Sequence, residues 1–505
     1  MTTNNSFFGH PRQLSTLFHI ELWERFSFYG MQGILFIYLY YSATKGGLGF
    51  SEAAAGGLVG AYGGSVYLST ILGGWLADRI FGAERTLFYA GILVMTGHIA
   101  LAVIPGVDGL IAGLVCIALG SGGVKASASS MVGALYEDEQ LRPLRDAGFS
   151  IFYIAINIGG FLGPLITGVL QRYIGFHYGF GAAAIGMAFG LWRYAAGRKN
   201  LPRLGAPHPL PPKQRKTAAT AALAIILALS AAVHYDKLGL DNFPGVLLTV
   251  VILATAGYFA RLLLDPKVDR DHRRYIIAYL PLFAAICVFW AIWFQIYTVV
   301  TSYFSETMNR NLGGFEIPVS WKDSLQSFWI ILFSGVMATL WTKLGDTQPK
   351  TPLKFALSLF ILGLGYLCFV PFIRTGVVMG LAVFAILLNT LAELLLSPIS
   401  LSFVTKIAPD HVKTQMVALN FLGISLGFTL GGIIFAKNYG VHFAEPAAID
   451  ATSLLARAAA QPWHDYLQTM NTANYYALIG GISIATSVAL TLAVPALNRL
   501  LKGVD

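Results

Sequence analysis

The residues of this sequence most able to do chemistry are ionisable side chains inside long apolar runs. Glu21, Glu24 and Arg25 lie in the first run at spacings i, i+3 and i+4, so they share one helix face, which Gln32 extends. Lys125 lies late in the fourth run. Because a buried ion needs an opposite charge, these two acids and two bases are expected to neutralise one another. A proton can replace a basic partner, so either glutamate could carry one; the alternative is a static network that holds helices together.

A further acid stands alone in a later run. Glu393 lies in LNTLAELLLSPISLSF, and no basic residue lies near it in that run. It is either a protonated carboxyl hydrogen-bonded to a helix, or a cavity-facing carboxylate that receives a substrate ammonium. In the second case Lys125 would receive a carboxylate, and a zwitterion would bridge two halves of the protein. Pro398 is predicted to bend this run.

Uncharged and weakly basic side chains in the apolar runs are further candidates. Tyr67 and Asn157 can line a binding site or form hydrogen bonds between helices. His19 and His98 are possible proton carriers. For His98, which has no partner in view, a packed neutral imidazole is expected.

Common catalytic signatures such as a phosphate-binding loop, HExxH or a CxxC pair are missing from the sequence. We therefore predict that the protein is not an enzyme and has no cofactor. Since the sequence offers no ATP site, any uphill transport is expected to draw on an ion gradient, here a proton gradient.

The composition indicates what positions these residues. Of 505 residues, 56% are hydrophobic and only 12% are charged, and the mean hydropathy is +0.64. Apolar runs of about 20 residues cross a bilayer as helices, so the sequence predicts an all-α integral membrane protein. We predict fourteen transmembrane helices, at residues 14–41, 52–79, 85–104, 108–135, 146–171, 176–197, 217–234, 243–264, 275–303, 323–344, 352–373, 377–407, 412–436 and 473–500.

The order of the spans predicts a domain organisation. Residues 1–200 would form an N-terminal six-helix bundle, 201–272 a linker with two inserted helices, and 273–505 a C-terminal six-helix bundle. That is the plan of a transporter with a midplane site between two related halves. Residues 437–471 are expected to form an unusually long outer loop.

Lysine and arginine predict the orientation of the chain. They are concentrated in the 198–216 linker, before the ninth span and near residue 345, whereas the opposite gaps hold few, Arg374 among them. By the positive-inside rule both termini are then cytoplasmic, which agrees with an even number of spans. The net charge of +9 thus reflects membrane topology, and no nucleic-acid partner is expected.

Four motifs resemble one family. ELWERFSFYG (21–30), FYIAINIG (152–159), GGWLADRIFGAER (73–85) and AELLLSPISLSFVTKIAP (392–409) are similar to segments of the proton-dependent oligopeptide transporter family, within the major facilitator superfamily. Bacterial members also carry two extra helices between the bundles. The resemblance covers nearly the whole chain.

The resemblance implies roles for particular residues. Glu21, Glu24, Arg25 and Lys125 would form the proton-coupling cluster, Lys125 would also bind the peptide carboxylate, and Glu393 would face the peptide ammonium. The substrate-binding positions that it implies are Tyr29, Gln32, Tyr67, Lys125, Asn157, Phe294, Gln295, Gln326, Glu393 and Ser397.

Several positions depart from the family pattern. Phe28 replaces a tyrosine, Gln32 lies where many members have an arginine, and Phe294, followed by Gln295, lies where many have an acid. In addition, KASAS replaces KPNVS around Lys125, and Gln326 and Ser327 replace an Asn-Pro pair. In the family that arginine and that acid are thought to pair as an outer gate. Since both are missing here, the gate is expected to close through other contacts.

The resemblance predicts a proton-coupled symporter that imports di- and tripeptides by alternating access. It would be a multi-pass protein of the bacterial inner membrane, a monomer, with membrane lipids and protons as its other partners. Two alternatives remain: a transporter of the same fold for another small solute, such as nitrate, an amino-acid derivative or a drug, and a membrane-embedded enzyme or sensor.

Overall fold

The computed structural model describes residues 6–202, 205–373, 379–438 and 471–503. Arg374 and nearly all of the stretch 437–471, the predicted long outer loop, lie outside these ranges. Contacts within the chain divide it into two compact units, and the first two long helices contribute to both.

Unit 1 comprises Met1–Leu35 and Ser65–Val246. The first seven helices, in chain order, are α1 (Gln13–Tyr40), α2 (Glu52–Leu76), α3 (Ala83–Val103), α4 (Gly106–Ala134), α5 (Arg145–Tyr173), α6 (Phe176–Gly197) and α7 (Pro212–His234).

Unit 2 comprises Phe36–Gly64 and Leu247–Asp505. Its further helices are α8 (Phe243–Leu264, which begins in unit 1), α9 (Arg270–Trp293), α10 (Val299–Glu306), α11 (Trp321–Leu344), α12 (Thr351–Leu367), α13 (Met379–Ile407), α14 (Lys413–Asn438) and α15 (Thr472–Leu500). A tight turn at Phe294–Tyr297 connects α9 to α10, so that the two form one segment, Arg270–Glu306.

The predicted number of spans is confirmed in the part of the chain that the structure describes. Eleven helical segments there are long and apolar enough to cross a membrane, and α1, α2 and α6 are the other three long helices. The protein is therefore a multi-pass membrane protein. The domain boundaries at 200 and 272 stay a prediction.

Two helices begin five residues earlier than predicted, for local reasons. The seventh begins at Pro212 rather than 217, because proline fits the first turn of a helix, where its missing N–H is not needed. The ninth begins at Arg270 rather than 275, because Asp269 caps it and accepts hydrogen bonds from the backbone N–H groups of His272 and Asp271. These hydrogen bonds hold the pKa of Asp269 below its usual value.

Two short antiparallel hairpins lie outside the long helices. The first pairs β1 (Ser6–Phe7) with β2 (His10–Pro11), and the second pairs β3 (Asn311–Leu312) with β4 (Phe315–Glu316). Each has two central residues with positive φ, Phe8 and Gly9 in the first and Gly313 and Gly314 in the second. Two-residue hairpin turns favour such angles because they match the twist of the strands.

Candidate functional site

Arg25 lies between the two glutamates of α1. Its Nε donates to Glu21 Oε1 at 2.7 Å and lies 3.3 Å from Glu24 Oε2. The three side chains are almost completely buried, with exposed fractions of 1% for Glu21, 0% for Glu24 and 6% for Arg25. One guanidinium thus serves two carboxylates, and the three side chains together carry one excess negative charge.

Glu24 has a second partner on α4, and Glu21 has a spare oxygen. Ser121 Oγ donates to Glu24 Oε1 at 3.0 Å. Glu21 Oε2 is buried and has no hydrogen-bond partner among the residues that the structure describes. A buried carboxylate oxygen without a donor is costly in its charged form. Glu24 Oε2 likewise has no hydrogen-bond partner there, so either carboxylate of this arrangement is suited to taking up a proton.

Lys125 supplies the second positive charge and interacts with aromatic rings. Its Nζ lies 4.8 Å from the ring centroid of Phe28 and 4.9 Å from that of Tyr67, distances typical of cation–π interactions. Lys125 is partly buried and makes no ion pair within the described ranges. Its ammonium is thus available to an anion that enters from outside the cluster.

Helix α5 packs directly against the charged helix. A Cβ at Gly159 would lie 2.3 Å from the carbonyl oxygen of Leu22, and one at Gly163 would lie 2.4 Å from that of Phe26. Only glycine permits this approach of the two backbones. On the same helix, Asn157 is 5% exposed and donates to the carbonyl oxygen of Tyr153 at 3.0 Å, a bond within α5 rather than between helices.

The other predicted positions of unit 1 lie on α1 and α2. Tyr29 and Tyr67 are partly buried. Gln32 is buried, with an exposed fraction of 5%. Its Oε1 has no hydrogen-bond partner in the described part of the chain. Unit 1 therefore contains the α1 cluster, formed by Glu21, Glu24 and Arg25, and Lys125, which contacts α1 through Phe28 and α2 through Tyr67. Asn157 lies on α5, which packs against α1.

In unit 2, Glu393 has a hydrogen-bond partner on a neighbouring helix. Gln326 Nε2 of α11 donates to Glu393 Oε2 of α13 at 2.8 Å. Glu393 is partly buried, and Ser397, one turn later, is partly buried on the same face. Pro398 lies inside α13, and the bend expected there stays a prediction. The carboxyl of Glu393 is thus positioned by an uncharged donor rather than by a cation.

Gln295 and Phe294 are parts of the packed interior of unit 2. Gln295 is 1% exposed; its Nε2 donates to the carbonyl oxygens of Ala291 and Gly431, and its Oε1 accepts from Thr298 and Tyr475. The NH2 and C=O groups of this side-chain amide each make two hydrogen bonds, so contact with a substrate requires one of these bonds to break. Phe294 is fully buried, and its ring centroid lies 4.7 Å from that of Phe428.

Hydroxyl–carboxylate hydrogen bonds hold residues 36–64, which join α1 to α2, within unit 2. Tyr40 Oη donates to Glu306 Oε1 at 2.9 Å, and Ser302 Oγ donates to Glu52 Oε2 at 2.9 Å. No basic side chain takes part in these two bonds.

The same segment meets α14 backbone to backbone. A Cβ at Gly60 would lie 2.6 Å from Gly432 Cα, and a Cβ at Gly63 would lie 2.7 Å from Phe428 Cδ2 and 3.4 Å from Phe294 Cε2. Phe294 therefore lies at this contact, as an apolar group where the family pattern has an acid.

His19 and His98, the two histidines singled out as possible proton carriers, differ in their hydrogen bonding. His19 Nδ1 lies 2.7 Å from the carbonyl oxygen of Ser15, one turn earlier in α1. His98 is fully buried, and neither ring nitrogen has a hydrogen-bond partner in the described ranges. A packed neutral imidazole fits that environment, because a buried imidazolium would leave its charge unpaired.

Sequence reasoning missed three features. Ser121, the partner of Glu24, lies four residues before Lys125, so helical spacing was a usable signal.

Lys322 and Asp323 form a buried ion pair at 2.6 Å in the first turn of α11, where the predicted span began only at 323. GISLG at 423–427 has the spacing of a hydrolase nucleophile motif, but it lies inside α14, and its serine, Ser425, donates to the carbonyl oxygen of Gly64.

The fold and the buried charges are those of a membrane transporter, and comparison with known proteins defines the family. The model of the POT family matches residues 84–442. The chain belongs to the POT family, a group with the major facilitator fold, and the predicted family and fold class are confirmed.

Individual relatives match over most of their length. The uncharacterized transporter YclF of Bacillus subtilis (strain 168) is 39% identical over 99% of this chain and 96% of its own. A di-/tripeptide transporter of Lactococcus lactis subsp. cremoris is 40% identical over 87% of this chain and 93% of its own. A crystal structure of a mutant of the peptide transporter POT, in complex with alafosfalin, matches with a TM-score of 0.85 and 38% identity, covering 99% of this chain and 97% of that one.

Proposed function

We propose that the protein is a proton-coupled symporter that imports di- and tripeptides by alternating access. The peptide part of the proposal is supported by the relatives, since a protein 40% identical to this one is a di-/tripeptide transporter. The proton part depends on one observation, the buried set formed by Glu21, Glu24, Arg25 and the nearby Lys125.

Charge balance explains how this set couples two solutes. With both glutamates ionised and both bases protonated, the set is neutral. A proton added to a glutamate leaves one excess positive charge, which is costly in a buried site. A peptide carboxylate at Lys125 cancels that charge. The set is therefore neutral when empty and again when it holds proton and peptide together, which favours symport over the movement of either alone.

The contacts of residues 36–64 with α10 and α14, all within unit 2, lie on the predicted outer side. They are proposed to take the place of the arginine–acid gate that the sequence lacks. Glu393, held by Gln326, is proposed to receive the peptide ammonium. We further propose a monomer in the bacterial inner membrane with both termini in the cytoplasm, because lysine and arginine are concentrated on one side of the spans.

Uptake into proteoliposomes tests the function. With an inward proton gradient, labelled dipeptide is expected to accumulate above its external concentration, and a protonophore should abolish this accumulation. Accumulation that is insensitive to the proton gradient would contradict the coupling. Nitrate and an amino-acid derivative serve as competitors: if either displaces dipeptide only weakly but is itself accumulated better, another small solute is the substrate.

A further inference from the structure

Unit 1 contains a cavity at the ends of α3 and α6, lined by none of the predicted site residues. Its volume is about 670 Å³, within the usual range for small-molecule sites. The lining includes four basic side chains, Arg85, Arg198, Lys199 and Arg215, and one acid, Glu84. The proton and peptide mechanism uses none of them.

One wall of this cavity is held in place by hydrogen bonds. The backbone N–H of His208 donates to the carbonyl oxygen of Asp78, and that of Leu210 donates to the carbonyl oxygen of Arg79, both at 3.0 Å. Arg215 Nε then donates to the carbonyl oxygen of Leu210 at 3.0 Å. The linker residues that border the cavity are thus fixed to the turn between α2 and α3.

The charge in the cavity is strongly unbalanced. Glu84 is bound by Arg198, through Nε and also through Nη2 at 3.3 Å, so that the only acid of the lining is already neutralised. Arg85, Lys199 and Arg215 are left without an acid of the lining, and each is exposed to the medium. Three cations around one concave surface attract a multiply charged anion. Guanidinium groups suit phosphate in particular, because their N–H groups fit two of its oxygens at once.

The surroundings of the cavity indicate where such an anion comes from. Phe81, in the lining, is 41% exposed, and its ring lies 6.1 Å from that of Tyr89, which is 54% exposed and lies one turn beyond Arg85 on α3. On α6, Trp192 is 61% exposed and lies one turn before Ala195, another lining residue. Aromatic side chains of this kind are typical of the border between hydrocarbon and head groups. These residues indicate that the cavity opens at the level of the lipid head groups.

We propose that this cavity binds the head group of an acidic phospholipid, with Arg85, Lys199 and Arg215 around its phosphate. The lipid's acyl chains would run along the exposed aromatic surface of α3 and α6. None of the lining residues belongs to the proposed proton or peptide site, so the expected role of the lipid is to anchor unit 1 in the membrane.

The test uses the full chain purified in an uncharged detergent. Binding of a short-chain phosphatidylglycerol is measured by thermophoresis, beside phosphatidylcholine with the same chains and inorganic phosphate. Phosphatidylglycerol is expected to bind at least about tenfold more tightly than phosphatidylcholine. Since each basic residue at a membrane surface contributes about fivefold to the binding of acidic lipid, the double variant R85Q/R215Q should bind it about 25-fold more weakly.

Two further variants make the test specific. Lys213→Gln removes the same charge from the same helix as Arg215 but lies outside the lining, so it should change binding less than about twofold. Lys199→Gln removes a lining cation without breaking the Arg215–Leu210 hydrogen bond, and should weaken binding about fivefold. Equal losses in Lys213→Gln and the lining variants would overturn the proposal, as would no loss in any of them. Inorganic phosphate that saturates the cavity and is not displaced by phosphatidylglycerol would overturn the lipid as its occupant.

Discussion

The ammonium of Lys125 lies 4.8 Å from the centre of the Phe28 ring, at the position where the family pattern has a tyrosine. The ring of Tyr67 lies at a similar distance, 4.9 Å. Two aromatic rings therefore hold a cation that makes no ion pair in the described part of the chain. An incoming carboxylate can bind this ammonium without displacing an existing acid, and a tyrosine hydroxyl at position 28 is not needed to keep it in place.

Lys125→Ala should abolish proton-driven uptake of dipeptide. Without the ammonium, the remaining Glu21, Glu24 and Arg25 are unbalanced when both acids are ionised, and the peptide carboxylate has no partner. Uptake into proteoliposomes is expected to fall to the level of vesicles without protein. Lys45→Ala is the control, because Lys45 also lies over a tyrosine, Tyr41, at 5.0 Å but is exposed. Driven uptake that is the same in both variants would contradict the role of Lys125.

Phe28→Leu should remove the cation–π interaction that holds the Lys125 ammonium in place, whereas Phe28→Tyr should preserve it. A cation–π interaction contributes about 0.5 to 2 kcal/mol depending on its exposure to solvent. The leucine variant is expected to unfold at a lower temperature and to take up dipeptide more slowly, while the tyrosine variant should match the natural protein in both. If the tyrosine variant is as impaired as the leucine variant, the ring face is not what matters.

Glu21→Gln should separate the coupling from the binding of peptide. The change removes one acid and the 2.7 Å ion pair with Arg25, while Glu24 remains within 3.3 Å of the guanidinium. Gradient-driven accumulation should be lost, and exchange of internal for external peptide, which needs no net proton movement, should continue. Breaking a buried ion pair costs about 3–5 kcal/mol, so a lower unfolding temperature is expected too. Glu139→Gln, an exposed acid, should affect neither transport mode.

Gly60→Ala should inhibit transport through the backbone contact between α2 and α14. The new Cβ would lie 2.6 Å from Gly432 Cα, too close for the two helices to keep their separation. Gly74→Ala on the same helix is the matched control, since its Cβ would meet nothing nearer than Ala126 Cβ at 3.9 Å. The uptake rates of the two variants are compared. Equal rates would show that transport does not require the close backbone contact between α2 and α14.

Much of the fold could be predicted from the sequence, because the backbone of a long apolar run in lipid satisfies its own hydrogen bonds by forming a helix. The α1 cluster could also be anticipated, since Glu24 and Arg25 both lie about one helix turn after Glu21. Contacts between distant segments could not, because periodicity carries no information about which helices are neighbours. The bond from Gln326 to Glu393 and the complete use of the Gln295 amide are of this kind.

The start of α11 shows a different limit. The predicted span began at Asp323 and left Lys322 outside it, because charges normally end a span, yet the two side chains are 3% and 0% exposed. Adjacent residues of opposite charge can neutralise each other inside the protein, and Lys322 also lies 5.4 Å from the ring of Tyr297. Hydropathy alone cannot distinguish such a pair from the end of a helix.

Glu393→Gln should weaken the binding of peptides that carry a free ammonium and spare those that do not. Glutamine keeps the shape of the side chain and can still accept a hydrogen bond from Gln326, so α11 and α13 should remain paired. What is lost is the negative charge, and a hydrogen bond to a charged group contributes about 1.5–3 kcal/mol, which corresponds to about 10- to 150-fold in affinity. The half-saturating concentration of a dipeptide should rise by that factor, while an N-acetylated dipeptide, measured as a competitor, should bind the variant and the natural protein alike. If both peptides weaken together, Glu393 acts by positioning helices, and the ammonium of the substrate binds elsewhere.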